Sequence, residues 1–198
     1  MSKKRYFKYT GFIKINKMNN EILGMRGDQY VNGLKDLIKY INSNSLTNEM
    51  VMIEIGAYTG ESTIIFSEQF KDVITIDPYI DDYDEKDLIC SYAPLQMVYE
   101  KFIEKTKSIN NIRLIRKKSD SAFEDLKEMK FDFIYIDGVH TYEQVKIDIT
   151  NYIQLVKPGG FIGGHDYSNE FAGVMNAVNE NFSQLDGIFS DNSWIKKL

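Results

Sequence analysis

Acidic residues recur at or just beyond the ends of short apolar runs: Glu54 in VMIEI, Asp77 in VITID, Asp120 after IRLI, Asp137 in FDFIYID and Asp166 after FIGG. The two histidines of the chain, His140 and His165, stand beside the last two of these acids. Carboxylates at such positions accept hydrogen bonds from ligand hydroxyl and amino groups or supply oxygen ligands to a divalent cation. An imidazole next to them can take a proton from a reacting hydroxyl. The first acid opens EIGAYTGEST, a strand, a glycine-containing turn and a helix start, where backbone N–H groups favour a polar or anionic ligand. A dinucleotide fingerprint would need glycine where Tyr58 and Glu61 stand. Bulk at the first position blocks close backbone approach to a pyrophosphate, and the charge at the second repels it. A ligand with adenosine but no phosphate relaxes both demands.

These residues must be held by an alternating framework. Apolar residues at Val31, Leu34, Ile38 and Ile41 have the three-and-four spacing of a helix buried on one side. VMIEI then reads as a strand, 61–70 as a helix and VITID as a strand, followed by the acidic loop PYIDDYDEKD. A helix at 95–106, a strand at IRLI, a helix at 122–129 and a strand at FDFIYID continue the pattern. It closes with a core helix at 142–153, a KPGG turn, a strand at FIGG, a helix at 174–182 and short extended pieces near Ile188 and Trp194. Strands alternating with helices predict an α/β protein with a doubly wound, mostly parallel, Rossmann-like sheet. Ligands of such sheets bind outside the carboxyl ends of the strands, where the acids and histidines fall.

Two further features sharpen the reading. Glu54, Gly56 and Gly60 form Glu-x-Gly-x-x-x-Gly, and Asp77 follows Gly56 at about the distance expected of an acid that accepts from ribose hydroxyls. S-adenosylmethionine is an adenosine ligand without phosphate, with an amino group that an acid could hold. With EIGAYTGEST, the blocks FDFIYIDGVHTYEQVKIDI, VKPGGFIGGHDY and GVMNAVNENF resemble the class I S-adenosylmethionine-dependent methyltransferases related to macrolide-sugar (macrocin- and mycinamicin-type) O-methyltransferases, a group often encoded with surface-polysaccharide genes. The resemblance implies a single methyltransferase domain over 31–198. It places Glu54, Gly56, Ala57, Tyr58, Gly60 and Ser62 around the methionine end of the cofactor. Asp77 falls at the ribose, Asp120 and Ser121 at the adenine, and Asp137 beside the cofactor at the reacting centre. In metal-dependent relatives an acid at the position of Asp137 and an acidic pair at those of His165 and Asp166 hold the ion.

Methyl transfer from a sulfonium needs an aligned nucleophile, and a sugar hydroxyl is a poor one until its proton is removed or polarised. A divalent ion, Mg2+ or Mn2+, held by Asp137, His165 and Asp166 would do this. Imidazole prefers transition metals to magnesium, so His165 implies either manganese or a role as base, and the resemblance favours His140 as that base. The expected activity is O-methylation of a sugar, sugar nucleotide or related small hydroxylated metabolite. Two other classes stay open: a nucleic-acid or protein methyltransferase that holds a large partner with a basic N-terminal arm, and a module that binds the cofactor without chemistry. IDGV in place of an Asn-Pro-Pro-aromatic or Asp-Pro-Pro-aromatic motif speaks against amino methylation, and the full set of Asp137, His140, His165 and Asp166 against a module without chemistry.

The bulk numbers bound these readings. A chain of 198 residues, 43% of them hydrophobic, suffices for one domain. A net charge of -5 argues against a protein that coats nucleic acid or an anionic membrane. Residues 1–30 form a basic arm or lid, with Lys3, Lys4, Arg5, Lys8, Lys14, Lys17 and Arg26 against Glu21. Cys90 is the only cysteine, which excludes a disulfide framework and fits a reducing cytoplasm. No leader pattern or membrane-spanning run is present. The methyl acceptor and the oligomeric state stay open, a homo-oligomer among the options.

Overall fold

The computed structural model describes residues 28–81 and 94–198. The basic arm up to residue 27, and the acidic loop from residue 82 with Cys90, lie outside the described residues. The described chain runs α1 (Asp28–Asn44), β1 (Val51–Ile55), α2 (Glu61–Ser67), β2 (Asp72–Ile76), α3 (Leu95–Thr106), β3 (Ile112–Ile115), α4 (Ser119–Leu126), β4 (Phe131–Ile136), α5 (Tyr142–Tyr152), β5 (Val156–Gly164), α6 (Ala172–Asn181), β6 (Gly187–Ile188) and β7 (Trp194–Lys197). Among the described residues no helix is long and apolar enough to cross a membrane.

The seven strands form one sheet in the order β3-β2-β1-β4-β5-β7-β6, parallel except for β7, which runs antiparallel to both neighbours. β1 and β4 are buried almost throughout, as expected of central strands covered on both faces. Alternate side chains feed two cores. Ile53, Ile55, Ile134, Ile136 and Ile162 pack under α4, α5 and α6, while Met52, Val73, Phe133, Tyr135 and Phe161 pack under α1 and α2. Burying each such side chain contributes ~1.5–3 kcal/mol before the entropy cost of ordering it. α1 supplies Leu34, Leu37, Ile38 and Ile41, all buried, which accounts for its three-and-four spacing. Trp194 is buried too, its ring 5.7 Å from Phe182 at the end of α6.

The chain starts at the middle of the sheet, builds outward to β3, and crosses back to β4 on the other side of β1. The strand order therefore reverses between β1 and β4, and the ends of these strands frame the crevice where ligands of such sheets bind. Register fixes what meets there. Ile55 is level with Ile76 on one side and Ile136 on the other, and Ile136 with Gly164. Gly56, Asp77, Asp137 and His165 thus leave the sheet side by side.

Three expectations about elements change, among them the start of α4, which lies at Ser119 rather than 122. KPGG is not a turn outside the strand. β5 runs through it, with pairing that jumps from Phe131↔Val156 to Phe133↔Phe161. Gly159 N–H donates to the Leu198 carbonyl and Leu198 N–H to that of Gly160, each at 3.0 Å, so the end of the chain holds the excursion extended. α2 ends at Ser67 rather than 70. The turn beyond it is held by the side-chain amide of Asn111, which donates to the carbonyls of Ser67 at 2.8 Å and Phe70 at 3.1 Å.

Candidate active site

The loop after β1 turns on positive φ angles: 90° at Gly56, 46° at Tyr58 and 83° at Gly60. A Cβ on Gly56 would lie 2.0 Å from the Asp137 carbonyl oxygen, so only glycine lets the ends of β1 and β4 come this close. Tyr58 holds a conformation unusual for a side chain of its size, and neighbouring hydrogen bonds over-determine it. Its N–H and that of Ala57 donate to Asp77 Oδ2 at 3.1 and 3.0 Å, and its carbonyl accepts from Tyr79 Oη at 2.8 Å. Tyr79 N–H donates to Asp77 Oδ1 at 2.9 Å. Burial pushes the Asp77 carboxyl above its ordinary range against the pull of these three donors. A carboxylate offers about four lone-pair sites, so capacity remains for a ligand hydroxyl.

Glu54 is fully buried and does not line the cavity. Its oxygens accept from the hydroxyls of Ser62 and Thr63, each at 2.5 Å. Burial, opposed by those hydrogen bonds, pushes its carboxyl up to about 7. Glu54 anchors α2 and orients Ser62, which does reach the cavity. Gly60 is likewise structural, because a Cβ there would meet the Phe102 ring at 2.9 Å.

The cavity at the switch point has a volume of about 380 Å³, within the range of small-molecule sites. Gly56, Ala57, Tyr58, Ser62 and Asp77 line it, as do Asp137, His140, His165 and Asp166. Asp120 and Ser121 do not, since both are exposed. α4 begins at Ser119, so the inward positions are Ser119, Ala122 and Leu126, and Ser119 reaches the cavity in their place. Tyr58 Oη in the cavity wall is shut off from solvent and has no partner among the described residues, an orphan that a polar ligand would satisfy.

At the mouth, His140 Nε2 lies 2.8 Å from Asp166 Oδ2. Burial alone would raise the Asp166 carboxyl, but hydrogen bonds from His140 and His165 outweigh it and hold the group below its ordinary range. Asp166 has φ 58°, a strained value that aims its carboxylate at both imidazoles. The ligand atoms that converge within 4.8 Å belong to Asp137, His140 and Asp166. His165 was expected in that set, but its ring sits between three carboxylates: Asp166 at 3.1 Å, Asp137 at 3.7 Å and the buried Asp191 at 3.9 Å. Phe171 closes on His140, its ring 4.9 Å away, and Tyr30 of α1 on His165 at 6.2 Å.

Gln144 and Asp148, which line the cavity with Ser119, were missed in the sequence. Gln144 and Asp148 lie four apart on α5, one face of the helix, beside its apolar stripe. That spacing was the available signal.

Residues 53–167, more than half of the chain, match the model of a family described as a methyltransferase domain, and the chain belongs to that family. Its fold is that of the class I methyltransferases. The O-methyltransferase NovP aligns with a TM-score of 0.61 at 17% identity over 88% of this chain and 81% of its own. An O-methyltransferase from Bacillus cereus in complex with SAH aligns at 0.53, with 14% identity over 86% of this chain and 90% of its own. An rRNA methylase from Streptococcus thermophilus aligns at 0.58, with 13% identity over 88% of this chain and 99% of its own. Such identities carry the fold alone. An uncharacterized protein, y4gI, from Sinorhizobium fredii is 35% identical over 54 residues, which are 27% of this chain and 6% of that relative's length.

Proposed function

We propose that the protein is an S-adenosylmethionine-dependent O-methyltransferase that acts on a hydroxyl of a sugar, sugar nucleotide or other small hydroxylated metabolite. Its place is in the branch resembling macrolide-sugar enzymes, with a role in surface-polysaccharide or natural-product biosynthesis. The observation that carries this reading is the 2.8 Å contact of His140 with Asp166 at the mouth of a cavity whose floor is the β1 glycine loop.

When bound, S-adenosylmethionine supplies a methyl group made electrophilic by its sulfonium. Asp77 accepts from a ribose hydroxyl with its remaining lone pair while it clamps the loop through Ala57, Tyr58 and Tyr79. Tyr58 and Ser62, both in the cavity wall, would hold the methionine end. Holding donor and acceptor in line is worth ~7–11 kcal/mol of the barrier. Asp166 accepts from His140 Nε2–H, which makes Nδ1 the basic nitrogen, the one that takes the acceptor's hydroxyl proton. The ionised Asp166 stabilises the imidazolium that results. Phe171 and Tyr30 set their rings beside the two imidazoles.

With His140 as a ligand instead of the base, Asp137, His140 and Asp166 would hold a divalent ion through one atom each, and this mixed set suits manganese better than magnesium. Bound there, the ion would polarise the acceptor hydroxyl. The test is methyl transfer from labelled donor to a panel of sugars and sugar nucleotides, after chelation and after return of Mg2+ or Mn2+. His140→Asn is expected to lower kcat by ~10²–10⁴ with donor affinity little changed. Transfer to nucleic acid or protein instead, or full activity of His140→Asn, would contradict the reading.

A further inference from the structure

We infer that Gln144, held in place by Asp148 and Ser119, reads the amino group of the donor's purine and selects adenine over 6-oxo purines. This rests on the cofactor reading above. Gln144 Nε2 has three acceptors around it: Ser119 Oγ at 3.1 Å, Asp148 Oδ1 at 3.1 Å and Asp120 Oδ1 at 3.4 Å. Three oxygens surround this end of the amide, and the Ser119 hydroxyl proton is already given to Asp148, so the arrangement satisfies an NH2 group here, which donates to Ser119 Oγ and the carboxyl oxygens. Oε1 must then point the other way. It accepts no hydrogen bond among the described residues, and Gln144 lines the cavity, as do Ser119 and Asp148.

An amide carbonyl with a fixed orientation accepts from an exocyclic amine and meets a 6-oxo group, itself an acceptor, with repulsion. The same logic lets side-chain amides read adenine in nucleic acids. Asp148 is a positioning residue. It is 1% exposed, bonded to Gln144 one helical turn away, and its carboxyl is pushed up to about 7 by burial against the hydrogen bonds of Ser119 and Gln144. Ser119 is itself fixed from behind, where Tyr152 Oη donates to its carbonyl at 2.8 Å. No other duty explains this polar trio, two of its members buried: the β1 loop, Asp77 and the His140 pair are all served by other groups.

The test compares binding of S-adenosylhomocysteine with that of its 6-oxo analogue, S-inosylhomocysteine, by calorimetry. The wild type is expected to prefer the adenosyl compound by roughly 5- to 150-fold. Gln144→Met, close in shape and without the amide, should bring the two affinities within about twofold of each other. Asp148→Ala should reduce the preference as well, and Asp148→Asn, which keeps an acceptor for Gln144, should restore it; a merely structural role would not move the ratio. An unchanged preference in folded Gln144→Met overturns the inference and leaves the cofactor reading standing. Loss of preference in Gln144→Met but not in Asp148→Ala overturns the part assigned to Asp148. A wild type that binds neither compound contradicts the cofactor reading, and this inference falls with it.

Discussion

Glu54 and Asp148 are shut away from solvent, and burial raises both carboxyls to about 7. Each folded value lies above the unfolded one, so the native state favours the neutral form. Their stabilising contribution is complete below about 4 and is lost as pH rises through about 7. For Glu54 the shift corresponds to roughly 3 kcal/mol. Without ligand, urea unfolding should show stability falling between about pH 4 and 7, and Glu54→Gln, which cannot ionise, should flatten that fall. Parallel curves for the two proteins would show that Glu54 is charged in the fold. At this scale the sequence revealed the right neighbourhood more often than the right contact. Asp77 and His140 could be read from their places after strands, whereas the burial of Glu54 behind Ser62 and Thr63 could not. Asp120 and Ser121 followed from the resemblance and from their place after β3, but α4 begins at Ser119, which turns inward and leaves both of them exposed.

The elements owe their spacing to a few backbone positions. Gly56→Ala would place a methyl group 2.0 Å from a backbone oxygen at φ 90°, where no side-chain rotation gives relief. It is expected to destabilise the protein by more than 2 kcal/mol and to abolish ligand binding, both measurable by thermal unfolding with and without S-adenosylhomocysteine. Gly159→Ala is the control. Its φ is 79°, but a Cβ there meets nothing within 4 Å, so only strain of about 1 kcal/mol is expected. Equal losses from the two would remove the claim that β1 and β4 are held together at Gly56. The strands were legible, because central parallel strands are continuous apolar runs: VMIEI and IRLI fall where they were read. KPGG was misread for a physical reason, since the partner that straightens it is Leu198, about 40 residues further along the chain.

For the whole molecule, alternation of strand and helix was enough to predict a doubly wound sheet, and register did the rest by lining up Gly56, Asp77, Asp137 and His165. The order of the strands and the antiparallel β7 carry no local signal, because pairing between distant segments is decided by which faces must be covered. The central claim is that this cavity holds S-adenosylmethionine. A calorimetric titration of the metal-stripped chain with that compound tests it most directly. Saturable binding near one to one, with Kd in the micromolar range (about -8 kcal/mol) and lost in Asp77→Ala, is the predicted result. No heat of binding from the folded wild type, with or without Mn2+, would contradict the account.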